Sequence, residues 1–178
     1  MTQPRMLVCS AAVGHGHCRA AEIIADLMRD NGASVQRLEA LEFAPAWFNG
    51  IYRGAYLRAI QSLPAAQRWL YASTDHPCDG RSFGEAIERA ALRSFTERVE
   101  DESPDAIICT HLLCARVLCA RRAAGTIKCP IAVCITDQHP HGVWLSRHAD
   151  LFLVASESAR KRVVESGLDA ERVHVVGI

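Results

Sequence analysis

Lysine is almost missing from this sequence. Only 2 of its 20 basic side chains are Lys, and those 20 are matched by 20 acidic ones. With no basic surplus, a generally cationic surface is disfavoured, and with it a nucleic-acid partner, since neutralising phosphates needs excess positive charge. No run of 18 apolar residues occurs, so no segment reads as a membrane-spanning helix. Residues 1–5 lead straight into a strand-like run, without the pattern of a signal peptide. The eight cysteines contain no Cys-x-x-Cys pair, and their density is below that of a disulfide scaffold. Cys9, Cys109 and Cys134 lie inside apolar runs, where cysteine acts as a small buried hydrophobe. A reducing, cytosolic setting with free thiols is therefore expected. No internal repeat or low-complexity stretch is present. What is present is 178 residues, 49% hydrophobic and 22% charged. That supports a sizeable core in one domain, or in one half of a larger enzyme.

Hydrophobic periodicity gives an alternation of short apolar runs and amphipathic stretches. Residues 6–12 read as a buried strand that ends in the loop Val13-Gly-His-Gly16. A helix follows with Ala20, Ile23, Ile24, Leu27 and Met28 on one face, stopped at Asn31-Gly32. Further strands are expected at 34–38, 104–110, 130–136, 150–155 and 172–177. Helices are expected at 83–102, 113–124 and 156–166. The long helix at 83–102 would bury Phe83, Ile87, Ala91, Leu92, Phe95 and Val99. Continuous apolar strands alternating with helices mean an α/β fold, a Rossmann-like doubly wound parallel sheet with helices on both faces.

Two loops carry the chemistry. The first is Ser10-Ala-Ala-Val-Gly-His-Gly-His-Cys-Arg-Ala-Ala21, at the first strand-to-helix turn. Gly14 and Gly16 let backbone approach a ligand, and a helix start favours negative charge. His17, at the carboxyl edge of the sheet, faces the ligand crevice of such folds and can serve as a base near neutral pH. Gly14-x-Gly16 also resembles the opening of a dinucleotide fingerprint, with Glu39 as a ribose-binding acid, but the third glycine is missing. The second loop is Thr136-Asp137-Gln-His139-Pro-His141-Gly-Val-Trp144. Asp137, His139 and His141, with His15 and His17, could hold a metal, which keeps a metal-dependent hydrolase open. His111 follows Thr110 at a strand end facing the same crevice.

Taken in order, these motifs form a recognisable set. They are Gly14-x-Gly16-His17-x-x-Ala20-Ala21, Pro104-Asp-x-Ile-Ile-x-Thr110, Thr136-Asp137-x-x-x-His141-x-x-Trp144, Asp150-x-x-x-Val154-Ala155-Ser156 and Gly177-Ile178. The set resembles the N-terminal domain of the monogalactosyldiacylglycerol synthase and processive diacylglycerol glucosyltransferase family, over nearly the whole chain. The resemblance implies the N-terminal half of a GT-B glycosyltransferase, in which residues 1–178 form the acceptor-binding domain. The C-terminal donor-binding domain would lie outside the chain, which alone would then be inactive. It implies transfer of a hexose from a UDP-sugar to diacylglycerol in glycolipid synthesis. The family's glycine-loop base falls on His17, while Gly14, Gly16, His111, Asp137 and His141 shape the cleft on the acceptor side. No metal or cofactor is implied; the UDP-hexose is a donor substrate. A lipid-binding module without catalysis is the remaining alternative.

Residues 43–82 differ from the rest and read as a helical insertion. Seven of the eleven aromatics lie at 43–71, and residues 43–74 hold three arginines and no acid. The zero net charge therefore conceals a local +3 against −3 elsewhere. Aromatics interleaved with arginine suit an anionic membrane surface. Trp47, Phe48, Tyr52, Arg53 and Tyr56 are the expected membrane- or acceptor-facing residues, although Trp47, Ile51 and Leu57 could instead form a small helical core. The expected location is cytoplasmic and peripheral, at the inner face of the membrane.

Overall fold

The structure, a computed structural model, describes residues 3–61 and 83–177. Its strands are β1 (Arg5–Ser10), β2 (Ser34–Glu39), β3 (Ala106–Cys109), β4 (Ile131–Ile135), β5 (Leu151–Val154) and β6 (Val173–Val175). They form one sheet in the order β2-β1-β3-β4-β5-β6, and every neighbouring pair is parallel. The helices are α1 (His15–Asp30), α2 (Ala46–Gln61), α3 (Phe83–Ala91), α4 (Arg93–Glu102), α5 (Leu112–Ala123) and α6 (Glu157–Glu165). The expected strands all form within a residue or two of their expected bounds.

Strand alternation divides the apolar side chains between the two faces. Leu7 and Cys9 join the large core cluster with Phe95, Val99, Leu113, Leu118, Phe152 and Val163. Val8 points the other way, into a smaller cluster with Ala21 and Ala25 of α1. The Rossmann-like sheet is thus covered on both faces, unequally. The chain starts in the middle of the sheet, steps out to β2 and returns across β1 to β3. This makes β1 and β3 the point where winding reverses, the usual place for a ligand crevice at the strands' carboxyl ends.

Three expectations need correction. The buried strip of α1 consists of Ala21 and Ala25 flanked by Ile24 and Met28, whereas Ile23 and Leu27 are 46% and 56% exposed. Alanine lets the helix lie close on Val8, and that approach fixes which residues face the sheet. The single helix at 83–102 is two helices, α3 and α4, separated at Leu92 (φ −101°, ψ 20°). The break brings Ala91, Leu92, Phe95 and Val99 into the core while Ile87 stays exposed. Lastly, Trp47 and Ile51 do not form a small core; both are exposed on α2.

The stop of α1 is as expected. Gly32 takes φ +85°, and the N–H groups of Gly32 and Ala33 return to the carbonyls of Arg29 and Met28. Described cysteines are all free thiols. Burial pushes Cys134 and Cys119 up to about 11 and Cys9 up to about 12, so they pack as hydrophobes.

Candidate functional site

The β1–α1 loop reaches its first helical turn through Gly14, at φ 87° and ψ 152°. That conformation is open to glycine and strained for any L side chain. Beyond its chain neighbours and its own helix backbone, a Cβ on Gly16 would meet nothing within 4 Å. The first turn of α1 has no acidic residue and no side-chain cap, so its leading N–H groups are left for solvent or ligand. Glu39, at the end of β2, is not free to hold a ribose. Its Oε1 accepts from the N–H of Ala12 at 2.6 Å and from that of Leu41 at 3.2 Å. The carboxylate pins the glycine loop to the next strand.

His17 sits at the switch point and is held from behind. Its Nδ1 lies 2.9 Å from the main-chain oxygen of Thr110 and 3.0 Å from Thr136 Oγ1. A carbonyl oxygen only accepts, so Nδ1 carries a proton, and in the neutral ring Nε2 has the lone pair. Thr110 grips the same residue a second time, its Oγ1 donating to the His17 carbonyl at 3.0 Å. Thr110 is fully buried at the end of β3, where its N–H donates to the carbonyl of Cys9. The histidine, carried on the helix that follows β1, is therefore held by residues at the ends of β3 and β4.

His111 lies against it, with ring centroids 4.8 Å apart and planes at 85°. It caps α5, its Nδ1 accepting from the N–H of Leu113 at 3.1 Å. Burial, with the His17 ring beside it, pushes His111 down to about 3. It is a neutral ring at any working pH. Trp144 closes the group from a short 3₁₀ turn (Gly142–Trp144), 5.7 Å from His17 and 6.3 Å from His111 between centroids. Its indole Nε1 donates to Asp137 Oδ2 at 2.8 Å, so Trp144 braces the second loop. His141 is buried and its Nδ1 accepts from the N–H of Val143 at 3.2 Å.

The five candidate metal ligands do not converge. His15 and His139 are exposed, and His17, Asp137 and His141 each have a ring nitrogen or oxygen engaged as above. Among the described residues no three His, Cys, Asp or Glu side chains are grouped to hold an ion.

From the aromatic helix only part reaches the site. Tyr52 is half-buried, 6.3 Å from the His111 ring, and stacks on Phe48 at 5.5 Å. Phe48 meets Trp47 edge-on at 5.7 Å. An unbroken row of rings thus runs from the surface at Trp47 to His111 and His17. Phe48 is among the residues expected to face the membrane or the acceptor. It is instead only 4% exposed, drawn into the main core. Trp47 is 55% exposed and Ile51 66%, and Arg53 is also exposed on this helix. Tyr56 lies on α2, with its side chain outside the described set. Leu57, Arg58, Arg68, Trp69 and Tyr71 also fall where side chains are not described. No helix among the described residues is long and apolar enough to cross a membrane.

The sequence did not show Thr110 and Thr136 as partners of His17, nor the pinning role of Glu39, which it offered only within an incomplete dinucleotide fingerprint. The signal was present, since both threonines end central strands at the switch point. Only the register showed that they meet one nitrogen.

Comparison with known proteins follows this geometry. The profile described as monogalactosyldiacylglycerol (MGDG) synthase matches residues 17–178. A processive diacylglycerol beta-glucosyltransferase of Bacillus cereus (strain B4264) is 24% identical over 98% of this chain and 45% of its own length. That of Bacillus mycoides (strain KBAB4) is 25% identical over the same shares. The chain spans about half the length of these relatives. Among solved structures, the lipopolysaccharide outer core galactosyltransferase WaaB aligns with TM-score 0.56 at 14% identity, over 97% of this chain and 45% of that one. Anabaena HepE in complex with UDP-glucose aligns with TM-score 0.54 at 14% identity, over 98% and 44%. UDP-GlcNAc 2-epimerase from Neisseria meningitidis also aligns, with TM-score 0.55 at 12% identity, over 96% and 45%. Its presence beside the transferase shows that these alignments carry the fold and leave the reaction to the site. With a profile match over most of its length, the chain belongs to the monogalactosyldiacylglycerol synthase family.

Proposed function

We propose that this chain is the acceptor-side half of a glycosyltransferase that moves a hexose from a UDP-sugar to diacylglycerol, with His17 as the general base. The observation that carries the proposal is the fixed imidazole. Nδ1 is committed to the Thr110 carbonyl, which leaves Nε2 as a lone pair at the sheet's carboxyl edge. An acceptor hydroxyl is a poor nucleophile, and a positioned base assists its attack on the anomeric carbon. Loss of the hydroxyl proton to Nε2 accompanies formation of the new bond and departure of the diphosphate. The open N-terminus of α1 suits negative charge near this point. A donor-binding second half would hold the UDP-sugar across the cleft, in keeping with relatives about twice as long. The acceptor would arrive over α2, whose ring row links the exposed Trp47 to His111.

In the full-length enzyme, His17→Ala is expected to lower kcat by about 10²–10⁴ with folding intact by circular dichroism. Turnover that survives the change would remove the base assignment and favour a lipid-binding module.

A further inference from the structure

We propose that Thr136 is a positioning residue for the base. Its hydroxyl and the Thr110 carbonyl form an uncharged cradle for Nδ1–H that commits Nε2 to the proton transfer. The inference rests on the reading of His17 as the base and adds the means by which its tautomer and angle are set. Two oxygens lie near one nitrogen, at 2.9 and 3.0 Å. Because the carbonyl fixes the proton on Nδ1, the hydroxyl oxygen shares that proton as a second acceptor, in a three-centre bond. One oxygen alone would leave the ring free to swing about the contact; two acceptors from different strands fix its plane. Asp137, the residue after Thr136, is engaged by the Trp144 indole, and the partners of Nδ1 are the two threonine oxygens. The familiar acid–histidine arrangement, in which a carboxylate orients the ring, is thus replaced by neutral oxygens.

The cradle suits both states of the base. When Nε2 takes the acceptor's proton, Nδ1–H stays where it is and both oxygens go on accepting. No second proton moves and no group must reorient. His111, 4.8 Å away, stays neutral beside the new imidazolium, so proton uptake meets no like charge from that side.

The test uses the full-length enzyme and three variants. Thr136→Val keeps the shape and removes the acceptor. It is expected to lower kcat about 10–100-fold, as loss of an orienting partner typically does, with KM for both substrates within about twofold and the acidic limb of the pH–rate profile displaced. Thr136→Ser, which restores the hydroxyl, should return kcat to within a few-fold of wild type. Heteronuclear NMR of the imidazole nitrogens should show the Nδ1–H tautomer of His17 in the unaltered protein, independently of activity. An Nε2–H tautomer overturns the inference. So does wild-type kcat in Thr136→Val, or a loss that Thr136→Ser does not recover. His17→Ala separates the two levels: if it alone abolishes turnover while Thr136→Val is silent, the base reading stands and the cradle falls.

Discussion

His111 is 3% exposed and held neutral by burial. In the unfolded chain it would titrate near 6.5, whereas the folded ring protonates only near 3. Between those values the unfolded state binds more protons, so folding stability rises with pH there. Its contribution is complete above about 6.5 and is lost as pH falls toward about 3, with a slope of up to about 1.4 kcal/mol per pH unit. Urea titrations at several pH values should show this slope in the unaltered protein. His111→Asn should flatten it, since Asn can still cap α5 but does not titrate. The two loop glycines separate in a similar way. Gly14→Ala meets a strained φ of 87° and is expected to cost about 1–3 kcal/mol in denaturant midpoint. Gly16→Ala has open space and a helical position, so stability should hold or rise by about 0.5–1 kcal/mol. Turnover of the full-length enzyme should still fall, because the new methyl group occupies room beside His17.

At the scale of elements, α1 shows why a helical period is not yet a buried face. Sequence spacing put Ile23 and Leu27 inward, and the sheet takes Ala21 and Ala25 instead. Both strips satisfy a helical repeat, and the choice depends on how closely the backbone must lie to Val8. Replacing Ile23 and Leu27 by Gln is therefore expected to change stability by no more than about 0.5 kcal/mol each. Ala25→Leu should cost about 1–3 kcal/mol by overpacking, and guanidinium midpoints decide between the two faces. The break at Leu92 is of the same kind, since residues 83–102 hold no proline and their one glycine, Gly84, lies two turns before it. In contrast, the six strands were legible because most of them are short apolar runs bounded by turn residues. The pairing of their ends was not, so the threonine cradle was out of reach although each threonine was visible.

Across the whole molecule, the cancelling charges and the aromatic cluster bear on the proposed contact with a lipid surface. Membrane contact is proposed for Trp47, Ile51 and Arg53, each of which is exposed on α2. Interfacial aromatics and arginine favour an anionic lipid surface. Changing these three to Ala should reduce co-flotation with vesicles rich in anionic lipid, leave the thermal midpoint unchanged, and matter less as salt is raised. Unchanged flotation would sink the membrane role of α2. Phe48 is a poor probe, since Phe48→Ala empties a core site at a cost of about 3–5 kcal/mol and would confuse binding with folding.

The sequence by itself determined the alternation of strands and helices, the family and the candidate base. Those depend on local runs and on motifs in fixed order, which the linear pattern carries directly. Tertiary structure alone decided which face of α1 is buried, that Phe48 is core while Trp47 is surface, and that Glu39 pins the glycine loop. It also decided that the carbonyl of Thr110 and the hydroxyl of Thr136 meet Nδ1 of His17. These residues lie about a hundred positions from His17, and only parallel register between β1, β3 and β4 brings them together. Charge summed to zero could not reveal a basic aromatic helix, because a sum carries no position. The fold supplies the positions, and with them a neutral oxygen cradle where a carboxylate might have been sought.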